Sequence, residues 1–184
     1  MPRLSKEFKQ AISEIPVEEL QKLVIKAASK NQEIYDWVNI QYVNGKEAEN
    51  ELFRETKEKS LGEIYLFNDR GILQKNLANA IGKAIKHINY YEKVTCNSTG
   101  EAELLLYVLK EVFENYADKL STCWTVFDSK LAITTNRLYN LVTKKLHEDY
   151  LVEYKKPMNR FLEILHAKSN HLDYVYNMPK KIEK

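Results

Sequence analysis

The sequence predicts an all-α protein: an irregular multi-helix bundle or a set of stacked helical hairpins, with about seven to nine helices. Three observations predict it. Apolar residues recur at spacings of three and four along nearly the whole chain, the period of one helix face. Glycine and proline are scarce, five and four in 184 residues, whereas sandwiches, barrels and α/β sheets consume both in their tight turns. Helix start and stop signals stand where the periodic runs begin and end. Hydrophobic residues make up 44% and charged residues 29%, the balance of a folded chain. A chain of this length buries enough surface to fold without disulfide or metal staples, so one domain is expected over 1–184.

The elements follow in order. Leu4, Phe8, Ile12 and Ile15 share a face of a first short helix. Pro16 suits the start of a second, because its fixed φ and missing N–H are tolerated there. Val17, Leu20, Val24, Ala27 and Ala28 form that helix's expected buried stripe. Asn31 is placed to cap a third helix carrying Ile34, Trp37, Val38 and Tyr42, with Gly45 at its end. Short connections predict antiparallel neighbours. Residues 46–60 carry nine charges in fifteen positions. They predict a highly charged exposed helix or a linker, with only Ala48, Leu52 and Phe53 able to reach a core. Around Asn68-Asp69-Arg70-Gly71 the pattern favours helix–turn–helix, with a small hairpin over 62–73 as the alternative. Leu73, Leu77, Ile81, Ala84 and Ile88 mark a further helix, and Ser98 with Glu101 reads as a capping box for the next. There the run LLLYVL at 104–109 has no polar face, so that helix is expected at the centre. Trp124 to Leu146 predicts the longest helix, from about Thr122 to about Tyr150. Pro157 is expected to break the chain, with two short helical pieces after it and a frayed tail at 178–184.

Composition excludes several functions. Lys+Arg is 28 and Asp+Glu is 26, a net charge of +2, so nothing global favours nucleic acid or an anionic membrane. No run of about 18 uncharged apolar residues exists, and the charged opening MPRLSKEFKQAISEIP has no signal-peptide core. The expected address is cytoplasmic, with no membrane partner. Cys96 and Cys123 lack CxxC spacing and read as two buried or half-buried thiols. Phosphate-loop, dinucleotide and nucleophile-elbow glycine patterns are all absent. No catalytic residue, metal ligand or cofactor is therefore assigned. Glu163 and His166 share a helix face, but one Glu-x-x-His pair cannot build a di-metal site.

Two sets of residues remain as candidates. Twelve tyrosines stand against six phenylalanines. Tyr90, Tyr91, Tyr150 and Tyr154 sit at segment ends among polar residues, where a ring can pack while its hydroxyl stays wet. They are the candidate partner-binding residues. Between Arg70 and Tyr91 lie four basic residues and no acid. Lys75, Lys83 and Lys86, with Asn79, project opposite the Leu77/Ile81/Ile88 stripe and are the candidate nucleic-acid residues, for non-specific phosphate contact. From Ser121 to Lys184 there are 11 basic and 7 acidic residues.

The opening LSKEFKQAISEIPVEELQKLVIKAASKNQEIYDWV, the Lys75–Ile88 helix after an Asn-Asp-Arg-Gly turn, and the run AELLLYVLKEVFENYAD resemble a family of short, uncharacterised bacterial helical proteins, catalogued as a domain of unknown function. The resemblance implies a bacterial, cytoplasmic, all-helical protein and supplies no catalytic residue. The expected function is a non-enzymatic interaction module that binds a protein partner or forms a homo-oligomer. Non-specific nucleic-acid binding is the alternative, and a metal-dependent or other enzyme with an unrecognised site is third.

Overall fold

A computed structural model of the chain describes residues 4–68 and 70–182. Among the described residues there are nine α-helices and no strand, so the fold is all-α. The chain divides into two compact units, Met1–Glu49 and Asn50–Lys184.

The first unit is built from short helices. Ser5 starts α1 (Lys6–Ser13), its Oγ accepting the Phe8 N–H at 3.1 Å. Pro16 occupies the N-cap position of α2 (Val17–Ala28). Asn31 caps α3 (Gln32–Val38) as the sequence predicts, its side chain accepting the Glu33 N–H at 2.9 Å. A π-turn at Asn39–Val43 follows. Gly45, at φ 54°, then opens α4 (Gly45–Tyr65), a left-handed conformation that glycine adopts without strain. α1, α2 and α3 contain no fully buried residue.

The unit boundary falls inside α4. From Asn50 onward this highly charged helix is more than an outer layer. Thr56, Ser60 and Ile64 are buried at spacings of four, and Ser60 Oγ donates to the Ala84 carbonyl at 3.3 Å. Its outward face carries the Lys59–Glu55 pair at 2.8 Å.

The core of the second unit lies among α5 (Leu73–Thr95), α6 (Ser98–Tyr116), α7 (Val126–Lys144) and α8 (Leu151–Lys168). α5 buries Leu77, Ile81, Ala84, Ile88 and Tyr91 along one stripe. α6 is central as expected, with Leu104, Leu105, Val108, Leu109, Val112 and Phe113 all buried. Phe113 stacks on Phe161 of α8, with ring centres 4.4 Å apart. In the first turn of α6 only glycine fits: a Cβ on Gly100 would stand 2.8 Å from Tyr91 Cε1 and 2.9 Å from Cζ. The Tyr91 ring therefore lies flush against the backbone of α6.

Several boundaries correct the sequence reading. The α6 cap is Asn97, which accepts the Gly100 N–H at 2.9 Å, and not Ser98. Glu101, no longer needed in a capping box, instead takes the Arg137 guanidinium, with Oε1 2.9 Å from Nε and 2.7 Å from Nη2. α7 ends at Lys144, and a 3-10 turn at Glu148–Tyr150 separates it from α8. The longest helix of the second unit is α5 with 23 residues, against 19 for α7. Pro157 does not end a helix; it sits inside α8. There it leaves the Glu153 carbonyl without its helical donor, a loss offset by the burial of Tyr154, Met158, Phe161, Leu162 and Leu165. Nor does the tail fray as far as Ile182. After α9 (Asp173–Tyr176), Met178 and Ile182 are buried, and the Ile182 N–H donates to Asn159 Oδ1 at 2.7 Å. In the 66–72 link, Asn68 Oδ1 accepts the Arg70 N–H at 2.9 Å; Asp69 of the expected turn lies outside the described residues, as do Glu183 and Lys184 of the tail.

The start of α7 is held by a buried carboxylate. Asp128 is fully buried. Its Oδ2 accepts the Ser121 N–H at 2.9 Å and the Ser169 hydroxyl, so it ties the loop before α7 to the end of α8. Ser121 adopts φ 65° in that loop. Asp128 Oδ1 has no hydrogen-bond partner among the described residues.

Candidate functional site

The four tyrosines divide between core and surface. Tyr91 and Tyr154 are buried, at 1% and 3% exposure, and so offer little ring surface. Tyr91 packs edge-on against Phe53, with ring centres 5.7 Å apart, and it faces Gly100. Tyr90 is half-buried. Tyr150 is exposed, in the turn before α8.

Tyr150 and Tyr154 do meet in one place. They line a cleft of about 300 Å³ between α6 and α8, with Tyr107, Glu103, Glu153 and Lys110. The Tyr107 hydroxyl donates to Glu103 Oε1 at 3.1 Å. Lys57 Nζ sits 3.4 Å over the Tyr107 ring, a cation–π contact. Burial, and then the Glu103 and Glu153 carboxylates, push the Tyr154 hydroxyl up to about 12. It is therefore a neutral donor near neutral pH and an unsuitable base.

The candidate lysines lie along α5. Lys75, Asn79, Gly82, Lys86 and Asn89 form one exposed or half-exposed stripe. The second wall beside them is α7, which presents Val126, Lys130, Ile133, Arg137, Asn140 and Lys144 at the same spacing. Three contacts fix the register. Lys75 Nζ lies 4.8 Å over the Trp124 ring, just before α7. Lys130 Cε lies 3.7 Å from where a Gly82 Cβ would be. Arg137 Nη1 donates to Asn89 Oδ1 at 2.6 Å. The offset stays near 48 residues throughout, so α5 and α7 run parallel, and two clefts open in line along the furrow of the pair, separated by the Asn89–Arg137 bridge. One stretch, of about 640 Å³, has Asn79, Lys83, Lys86, Ser129 and Lys130 around an apolar floor of Ala78, Val126 and Ile133. The next, of about 670 Å³, is lined by Glu92, Glu101, Arg137, Asn140, Lys144 and Lys145. Lys83 stands at the lip, ion-paired to Glu63 at 3.2 Å. No periodicity along α5 alone reveals Lys130, Lys144 and Lys145 as part of this furrow. The fold brings them there.

The other leads form no centre. His166 Nε2 lies 3.2 Å from the Pro179 carbonyl, a contact to the tail and not to Glu163. No group of three metal-ligating side chains exists among the described residues. Cys96 and Cys123 are both exposed, contrary to the buried or half-buried thiols expected.

The first unit holds the largest departure from expectation. Val17 and Val24, read as core, are 70% and 42% exposed. Phe8, Leu23, Ile25, Tyr35, Trp37 and Tyr42 are exposed as well. Trp37 and Tyr42 pack edge-on, 5.7 Å apart, with both rings open to solvent. A signal for this was present in the sequence. Leu23 and Ile25 fall on either side of the Val17/Leu20/Val24 stripe, so α2 is apolar over more than half its circumference. A helix that broad needs cover on two sides.

No family model matches the chain, and no curated protein or solved structure matches it. No helix is long and apolar enough to cross a membrane among the described residues.

Proposed function

We propose that the protein is a non-enzymatic, cytoplasmic interaction module that self-associates through α1, α2 and α3. The observation that supports this most is the absence of any fully buried residue in those three helices, beside their many exposed apolar side chains. With roughly 150–200 Å² per large side chain, the exposed fractions in these helices amount to roughly 600–800 Å² of apolar surface, summed over their faces. An ordinary monomer's largest apolar patch covers about 300–600 Å², and a standard interface takes about 800 Å² from each partner.

A second copy of the chain suits this surface because α2 is self-complementary. Its first turn carries Glu18 and Glu19, and Lys22, Lys26 and Lys30 follow. Two α2 helices packed antiparallel set the acidic end of one against the basic end of the other, the condition a two-fold interface imposes.

Light scattering across a dilution series tests the proposal. The expected result is twice the chain mass at high concentration, falling to the monomer on dilution. Leu23→Asp with Ile25→Asp should give a monomer of unchanged helicity by circular dichroism. A wild-type chain that stays monomeric at every concentration overturns self-association.

A further inference from the structure

The α5/α7 furrow has a composition that neither the α2 surface nor the tyrosine cleft shares. Its charges are arranged in three ways. Arg137 is locked onto Glu101 and Asn89 in the floor. Lys83 is ion-paired to Glu63 on the lip. Lys86, Lys130, Lys144 and Lys145 have no carboxylate within ion-pair distance among the described residues, and all four line the furrow. Glu92 is the one furrow carboxylate not engaged by Arg137. The unpaired cations are thus strung along a parallel helix pair and not clustered at a point. From Lys75 to Asn89 alone the α5 wall spans about 21 Å at 1.5 Å per residue. At one end stands Trp124, 42% exposed, with Lys75 against its ring.

From this we infer that the furrow binds single-stranded nucleic acid without sequence preference. The lysines would track the phosphates and Trp124 would stack a base. A file of unpaired cations suits a chain of regularly spaced phosphates better than one compact anion. An exposed indole at the end of a basic groove is the stacking platform such sites use. The shallow surface groove over two packed parallel helices runs along their length, as an extended strand does, whereas a duplex presents its phosphates on a wider convex rod. Arginine usually supplies bidentate base reading, and the one arginine of the furrow is already held by Glu101 and Asn89, so sequence discrimination is not expected.

The test uses the full chain carrying Trp37→Phe, which leaves Trp124 as the sole indole, and a labelled oligouridylate of about ten nucleotides. Anisotropy should report binding that weakens roughly fifty-fold between about 50 and 200 mM salt, the slope for four neutralised phosphates on a single strand. Trp124 fluorescence should be quenched on saturation, a signal that phosphate contact alone does not give. Lys86→Glu with Lys130→Glu should weaken binding at least ten-fold, while Arg54→Glu on the exposed face of α4 leaves it unchanged. An equal loss from Arg54→Glu, or no binding at the lower salt, overturns the inference. So does polyglutamate competing as well as the oligonucleotide, or a duplex of equal length binding as tightly as the strand.

Discussion

The two units of this chain put similar fractions of apolar sequence to opposite ends. In residues 50–182, Leu77, Leu105, Phe127, Leu138 and Leu165 are buried completely or nearly so. In residues 4–49, side chains of the same kinds, such as Leu23, Val24 and Ile25, are 42–69% exposed. Periodicity at three and four is equally clear in both. The difference teaches that a periodic stripe specifies a helix and a face but not what covers it. In the second unit each face finds another helix of the same unit. In the first the helices are 7 to 12 residues long, too short to be stable in water without tertiary cover.

The widest gap between the units should appear on truncation of a core leucine. Leu105→Ala is expected to cost about 3–5 kcal/mol in urea unfolding followed by circular dichroism, since it leaves a cavity in a fully packed site. Leu23→Ala should cost less than about 0.5 kcal/mol in the monomer, and a larger loss that grows with protein concentration would place Leu23 in the self-association interface. Next in size is the buried carboxylate. Asp128→Ala strands the Ser121 N–H and the Ser169 hydroxyl and is expected to cost about 2–3 kcal/mol, read as a lower urea midpoint; an unchanged midpoint would show that the loop before α7 is held by packing alone.

An alkaline titration sharpens the comparison further. Tyr154 titrates near 12 when folded and near 10 when unfolded. Below pH 10 both states hold the proton and nothing changes. As pH rises from 10 through 12 the unfolded chain gives it up first, so stability falls. The second unit should therefore lose urea resistance across that window, and Tyr154→Phe should flatten the loss. Tyr65 is raised too, chiefly by its hydrogen bond to Glu111, and pushes the same way. The smallest expected effect is on the outer face of α4. Glu55→Gln breaks the half-exposed pair with Lys59 and should change stability by about 0.3–0.5 kcal/mol at low salt, with no change at high salt.

Features set by neighbours along the chain were legible in the sequence. The Asn31 cap, the central LLLYVL run and the α5 stripe all depend on contacts within a turn or two. Where two polar residues compete side by side, as Asn97 and Ser98 do, a local rule does not choose between them. The end of α7 at Lys144 carries no glycine or proline to announce it, because the Leu141 carbonyl and not a turn residue closes the helix. Pro157 misled for the converse reason: its local penalty is real, but the buried face of α8 outweighs it. The candidate site was half legible. Lys75 and Lys86 were visible on one helix. Their partners Lys130 and Lys144 lie 44 or more residues away and join them only through the parallel packing of α7. Adjacent tyrosines such as Tyr90 and Tyr91 look alike in composition, yet one faces the core and the other its rim.

The fit of Tyr91 against Gly100 has a consequence for recognising kin of this protein. An aromatic ring at 91 forbids even a methyl group at 100, so position 100 can change only when 91 has become smaller. A descendant with alanine at 100 would need a smaller residue at 91, and one that kept tyrosine would keep glycine. Paired exchange at these two positions, set nine apart across a helix junction, is a mark by which divergent copies of this fold can be traced after their overall likeness has faded.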